Sequence, residues 1–87
     1  MEVIGENKLH KFAVKQPNAR TPIKNWLSTV EQAKWTTLVE LQQTYASADY
    51  VKGFVIFNLG GNNFRLVTVV EFSAGRIFIG EVMTHAQ

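Results

Sequence analysis

Two residues in the second half of the chain have side chains suited to phosphate chemistry. Arg65 interrupts a strongly apolar segment, and a guanidinium group can hold a phosphate through two parallel hydrogen bonds. His85 follows the last apolar segment, and an imidazole can give or take a proton near neutral pH. Each has an ordinary alternative: the arginine could pair with Glu71 or Glu81, and the histidine could be a surface residue. Arg65 is therefore the first candidate for binding a phosphate, and His85 is a candidate for proton transfer.

Amide side chains accumulate just before Arg65, around the glycine pair at positions 60 and 61. The asparagines of this stretch are Asn58, Asn62 and Asn63. They could orient a nucleotide, although asparagine beside a glycine turn commonly serves the backbone. The glycine pair itself is more typical of a hairpin between two strands than of a phosphate-binding loop.

The composition restricts the class of protein. A chain of 87 residues and 9.8 kDa has room for one domain and one hydrophobic core. With no cysteine it has no disulfide, no thiolate nucleophile and no cysteine-bound zinc, and no metal or nucleotide signature is present. With 46% hydrophobic and 18% charged residues, it is expected to fold rather than to be disordered.

Charge and hydropathy indicate where the protein works. The net charge of +2 and the pI of about 9.2 make an anionic partner plausible without a dense basic run. The apolar stretches are far shorter than the roughly 20 residues of a membrane span, so a transmembrane role is excluded. The first residues carry no export signal, and the cytoplasm is the expected compartment.

The first half reads as a strand followed by helices. Residues 1–4 are β-prone, and the next stretch has helical spacing that should end before Pro17. Thr21 and Pro22 look like a new start, with threonine as N-cap and proline at the first helical position. This second helix is expected to run to about Ala33, and a third is expected to begin near position 36 or 37.

The second half reads as a sheet. Three segments rich in β-branched and aromatic residues predict strands over residues 54–59, 64–72 and 77–83. Short glycine-bearing loops join them, so the strands form antiparallel hairpins. In the middle strand, alternation places Phe64 and Leu66 towards the helices and Arg65 on the opposite face. The prediction is an α+β fold with an N-terminal strand, two to three helices, and a three-stranded antiparallel meander packed on them.

The segment VIFNLGGNNFRLVTVVEFSAGRIFIGEVMTH, residues 55–85, resembles the HigB branch of the RelE-like toxins. Members of that branch show a VFN motif, a GN-x-x-R motif and a terminal strand that ends in THxxYD. Trp26, Trp35 and the residues ASAD at 46–49 also match the upstream pattern. The resemblance implies one RelE-like toxin domain over residues 1–87 and a toxin of a type II toxin–antitoxin system. Its activity would be that of an endoribonuclease that cuts messenger RNA, typically on the translating ribosome.

The same resemblance implies roles for individual residues. Arg65 matches the motif arginine and would neutralise the scissile phosphate, while His85 matches the terminal histidine and would give or take a proton. Lys52 and Arg76 are weaker candidates without a firm motif match; they would hold the RNA backbone by charge, beside the three asparagines named above. No metal ion or other cofactor is required. The implied partners are messenger RNA, the ribosome, and a cognate helix-turn-helix antitoxin of the HigA type.

Two departures from the family pattern keep other functions open. Gly80 stands where relatives often have arginine, and the sequence ends at Gln87, before the tyrosine and aspartate of THxxYD. One alternative is a toxin-like module, impaired in catalysis, that only binds its antitoxin. Another is a general RNA-binding or assembly domain that dimerises through an exposed sheet edge. The sequence does not indicate the oligomeric state.

Overall fold

A computed structural model describes residues 1–85 of the chain and shows an α+β fold, as predicted. The first half holds one strand and three helices, and the second half holds four strands. The elements are β1 (Glu2–Ile4), α1 (Glu6–Lys15), a 3₁₀ turn (Pro17–Ala19), α2 (Arg20–Gln32), α3 (Leu38–Thr44), β2 (Asp49–Val51), β3 (Phe54–Leu59), β4 (Phe64–Glu71), a second 3₁₀ turn (Phe72–Ala74) and β5 (Arg76–Thr84). None of the helices in this part of the chain is long and apolar enough to cross a membrane.

The sheet has five strands in the order β1-β5-β4-β3-β2. Its centre is the antiparallel meander of β3, β4 and β5, as predicted. Two short strands extend this meander: β1 pairs with β5 in parallel, and β2 pairs with β3 antiparallel. The prediction missed β2 because a strand of three exposed residues shows no alternation between apolar and polar positions. The sheet is therefore wider than expected at the edge where β2 lies.

Three of the four predicted helix boundaries follow the sequence signals. Helix α1 ends at Lys15, before Pro17, and α2 ends at Gln32, next to the predicted Ala33. Helix α3 begins after Thr37, whose side-chain oxygen accepts a hydrogen bond from the backbone N–H of Glu40 at 3.2 Å.

The predicted start of α2 at Thr21 and Pro22 is wrong. The 3₁₀ turn leads straight into α2, so the chain is already helical at Arg20 and Thr21 caps nothing. Pro22 lies in the first turn of α2, where the missing N–H has no partner to lose.

The core lies between the three helices and one face of the sheet. Phe57 of β3 is fully buried and meets Trp26 of α2 and Tyr45 edge to face, with ring centroids 5.3 and 5.2 Å apart. Among the described residues, the buried polar residue is Thr68, whose hydroxyl donates to the carbonyl oxygen of Val55 at 2.8 Å. We call the face of the sheet that carries these residues the inner face, and the other the outer face.

Strand β5 contains a bulge at Gly80. Glu81 lies opposite Val67 and Ile79 lies opposite Thr68, which leaves Gly80 without a partner on β4. A Cβ atom at this position would lie 2.9 Å from the carbonyl oxygen of Val67, so any other residue would require the backbone to shift. The bulge sets the register in which the end of β5 runs beside the start of β4.

Candidate active site

Strand alternation places Arg65 on the outer face, as predicted. Its neighbours Phe64 and Leu66 are buried on the inner face, whereas Arg65 itself is half-buried. Asn58 of β3 lies directly opposite Arg65 on one side, and Met83 of β5 lies opposite it on the other. The guanidinium group is therefore carried by a central strand, with a neighbour on each side to fix its position.

His85 lies beside the guanidinium group of Arg65. Its Nε2 atom is 3.4 Å from Nη2 of Arg65. The backbone N–H of His85 donates to the carbonyl oxygen of Asn63 at 2.9 Å, and Asn63 in turn donates to the carbonyl of Gly60 at 3.3 Å. The turn between β3 and β4 thus holds the histidine next to the start of β4, with its side chain exposed.

The guanidinium group of Arg65 has a donor without a hydrogen-bond partner in the described residues. Within residues 1–85, Arg65 forms no ion pair with Glu71 or Glu81, so its alternative role as the partner of a glutamate is not observed. Its Nε atom is buried and has no hydrogen-bond partner in the described part of the chain. A buried donor without a partner is unfavourable, and an anionic oxygen would satisfy it.

Arg65 and His85 open onto a cleft of about 500 Å³. The cleft is lined by Ser47, Asp49, Val51, Ile56, Asn58, Asn62, Arg65 and His85. Four of these eight residues were predicted site residues, and Asn63 contributes through the carbonyl that holds His85. The other four come from β2, the residues before it, and β3. Ser47, Asp49 and Val51 were missed because β2 itself was missed, although the ASAD segment was a signal in the sequence. Ile56 lies on the predicted strand β3, but an apolar side chain gives no chemical signal of a site.

The remaining predicted residues lie elsewhere. Lys52 is in the turn between β2 and β3, in a left-handed conformation with φ of 51°. Arg76 begins β5 opposite Glu71, at the end of β4 remote from Arg65, and its Nε donates to Glu2 at 3.1 Å. Neither residue lines the cleft. Any RNA contact they make lies away from Arg65.

No group of three or more histidine, cysteine or carboxylate side chains that could hold a metal ion occurs in residues 1–85. What the cleft does offer is one guanidinium group, one imidazole, one carboxylate, two amides and an apolar wall. Such a set can bind a phosphate ester, move a proton at its edge and contact a planar group beside it.

Comparison with protein families agrees with this geometry. Residues 19–87 match the HigB toxin family, described as the RelE-like toxic component of a toxin–antitoxin system. The mRNA interferase toxin HigB of Escherichia coli K12 is 30% identical over 90 residues, which cover 100% of this chain and 86% of that protein. The mRNA interferase HigB of Shigella flexneri has the same identity and coverage, and that of Escherichia coli O6:H1 is 22% identical over 90 residues. The chain therefore belongs to the HigB family of RelE-like toxins.

Proposed function

We propose that the protein is an mRNA interferase, a toxin that cuts messenger RNA in the cytoplasm and so stops translation until its antitoxin binds. The observation that carries this proposal is the contact of 3.4 Å between Arg65 and His85 at the mouth of an open cleft. The names of the relatives agree with it, since each of them is an mRNA interferase.

Cleavage of RNA without a cofactor requires removal of a proton from the 2′ oxygen, addition of a proton to the 5′ oxygen, and stabilisation of the negative charge that develops between these steps. The 2′ oxygen loses its proton and bonds to phosphorus, the bond from phosphorus to the 5′ oxygen breaks, and that oxygen gains a proton. Meanwhile negative charge grows on the two free phosphate oxygens. Arg65 would bind these oxygens through the donors of its guanidinium group, of which Nε has no partner in the described residues, because a guanidinium group stabilises charge as it develops.

His85 would supply one of the two proton transfers. Its Nε2 atom faces the guanidinium group, so a phosphate held by Arg65 comes within reach of the imidazole. The backbone hydrogen bond from His85 to Asn63 fixes where the ring is attached. Solvent in the open cleft or a group on the ribosome would supply the other proton transfer.

The polar residues around the pair would hold the RNA strand. Asn58 and Asn62 line the same cleft and would contact the sugar or the base, while Asn63 acts through its carbonyl. Lys52 and Arg76 would attract more distant phosphates by charge. We further propose that the ribosome presents the messenger RNA to the cleft, and that the antitoxin is a helix-turn-helix protein of the HigA type.

Induced expression of the protein in bacteria tests the proposal. The wild type is expected to arrest growth and to produce new 5′ ends in messenger RNA, and Arg65→Ala is expected to do neither. Arg20→Ala is the matched control, because Arg20 is an exposed arginine on α2, in the helical layer. Normal growth with intact messenger RNA for all three proteins would leave a module that binds its antitoxin without cutting RNA.

Purified protein tests the requirement for the ribosome. Cleavage of one messenger RNA is measured with translating ribosomes and with the naked transcript. We expect cuts within codons on the ribosome and little cleavage of the naked transcript, since the cleft is open and positions only part of the strand. Equal cleavage of both would contradict ribosome dependence and leave the nuclease activity standing.

A further inference from the structure

The cleft contains a carboxylate to which the proposed function assigns no role. Asp49 is the first residue of β2, is exposed, and lines the cleft with Arg65 and His85. Its carboxylate has no hydrogen bond or ion pair with any residue in the 1–85 range. A negative charge repels a phosphate backbone, so this side chain favours binding only if it meets a hydrogen-bond donor.

We infer that Asp49 reads the nucleobase beside the phosphate that Arg65 holds, by accepting a hydrogen bond from an exocyclic amino group. This inference rests on the proposed function, because it takes RNA as the ligand of the cleft. Bases of single-stranded RNA are free to turn out of the stack and present their hydrogen-bonding edges to a protein. A carboxylate oxygen is a strong acceptor for such an edge.

The register of the sheet gives the spacing between the two residues. Asp49 lies opposite Ile56 on β3, and Arg65 lies opposite Asn58, two residues further along the same strand. Strands lie about 4.8 Å apart and rise about 3.3 Å per residue, so the Cα atoms of Asp49 and Arg65 are about 12 Å apart. This separation is comparable to the length of a nucleotide from its phosphate to the outer edge of its base.

An apolar surface lies next to Asp49 to receive the ring of the base. Val51 follows on the same strand and is 45% exposed, and Ile56 lies directly opposite Asp49. Both side chains line the cleft. The flat face of a base buries apolar area against such side chains, while its edge reaches the polar group beside them.

The polar groups next to this surface select for donors. The Nδ2 group of Asn58 donates to the carbonyl oxygen of Ser47 at 3.3 Å, which leaves the Oδ1 atom of Asn58 as an acceptor. Asp49 and Asn58 together thus present acceptors to a base. Guanine offers an amino and an imino donor side by side, adenine and cytosine offer one amino group, and uracil offers an imino N–H but no amino group. The expected preference runs from guanine to uracil in that order.

Binding to uncleavable RNA tests the inference independently of catalysis. Four short RNAs differ in the one base that follows a single 2′-deoxy nucleotide, which cannot be cut there. Fluorescence anisotropy measures their dissociation constants for the wild type, for Asp49→Asn, and for Glu71→Gln. Glu71 is the matched control, since it is an exposed carboxylate at the other end of β4.

The wild type is expected to bind the guanine RNA about tenfold more tightly than the uracil RNA, as one good contact to a base edge provides. Asp49→Asn should remove most of this difference and leave uracil binding unchanged or tighter, and Glu71→Gln should preserve it. Asp49→Ser gives a second variant, and thermal unfolding checks that each is folded. Equal binding of all four RNAs by the wild type, or the same preference in Asp49→Asn, would overturn the inference.

Cleavage of cleavable RNAs on ribosomes separates the two proposals. If the wild type cuts nothing but shows the base preference, the proposed function fails and the role of Asp49 stands. A loss of kcat for all four bases in Asp49→Asn, with binding unchanged, would instead make Asp49 a group that acts on the reacting atoms and would overturn its role in reading the base.

Discussion

The two faces of the sheet differ in how many of their side chains are buried and how many of their polar groups have partners. On the inner face, Phe57 and Leu66 are fully buried, and the hydroxyl of Thr68 has its hydrogen-bond acceptor. On the outer face, Arg65 keeps a buried Nε atom without a partner in the described residues, and the carboxylate of Asp49 is also unengaged there. The strand side chains named on the inner face are satisfied by folding alone, although Nε1 of Trp26, on the helix that covers them, is also buried without a partner in the described residues. The polar groups of the outer face are satisfied only when a ligand binds.

This difference arises between adjacent residues. Phe57 and Asn58 are neighbours in β3, and Leu66 and Arg65 are neighbours in β4, yet each pair divides its side chains between the two faces. A strand can therefore carry core residues and site residues at every second position. Substitutions on the two faces should then separate loss of stability from loss of activity.

The largest expected effect is on the inner face. Phe57→Ala should lower the free energy of unfolding by about 3–5 kcal/mol, because it removes a ring packed against Trp26 and Tyr45 and leaves a cavity. Urea denaturation measures this change. Asn58→Ala, one residue further on, is the control and should stay within about 1 kcal/mol of the wild type. Similar losses for both would mean that the two faces are not separate.

On the outer face, Arg65→Ala should reduce messenger RNA cleavage by about 100- to 1000-fold, the usual effect of losing a group that stabilises developing charge. Its free energy of unfolding should change by about 1 kcal/mol or less. Single-turnover cleavage and urea denaturation of the same preparation measure the two quantities. Arg65→Lys keeps the charge but not the paired donors, so it should recover only part of the activity. Full activity of the lysine variant would argue against bidentate binding.

Gly80 forms the bulge in β5, the strand that leads to His85. Its substitution should therefore affect both the free energy of unfolding and messenger RNA cleavage. Gly80→Arg restores the residue that relatives often carry, but its Cβ atom would lie 2.9 Å from the carbonyl oxygen of Val67. We expect a loss of about 1–3 kcal/mol in unfolding free energy, together with weaker cleavage, as the end of β5 shifts His85. Glu81→Ala, at the exposed neighbouring position, is the control. A Gly80→Arg protein as stable as the wild type would show that the bulge rearranges freely.

The smallest effect is expected far from both faces, at the start of α3. Hydrogen bonds from the side chain and then the backbone of Thr36 hold the pKa of Glu40 below its ordinary value of 4.5. A lowered pKa in the folded state means that this carboxylate stabilises the fold above the unfolded pKa, and that the contribution disappears as pH falls through the folded pKa. Thr36→Ala should raise the pKa of Glu40 towards 4.5, as an NMR titration would show, with cleavage unaffected. An unchanged pKa would contradict the assignment of its cause.

The sequence predicted the elements whose signals are local. Pro17 ends α1, Thr37 caps α3, and strict alternation in β4 assigned Arg65 to its face. The start of α2 was wrong because a 3₁₀ turn can enter a helix without a cap, so Thr21 carried a signal that the chain does not use.

The half of the site that was missed depends on contacts distant in the chain. Asp49 and Val51 reach the cleft only because β2 adds to the edge of β3, and nothing in three exposed residues requires that pairing. At the bulge, the backbone of Gly80 likewise lies close to the carbonyl oxygen of Val67, which is thirteen residues earlier in the sequence. Pairing between strands, rather than local propensity, decides such features.

The parallel pairing of β1 with β5 has a consequence for how the protein is made. Glu2 and Arg76 meet although 74 positions separate them in the chain. A strand that emerges early from the ribosome must therefore wait for nearly all of the sheet before it finds its partner, and contacts so distant in sequence form slowly. His85 follows β5 in the chain, so Arg65 has no histidine beside it until β5 has joined β4. The contact between Arg65 and His85 is therefore among the last of the sheet to form.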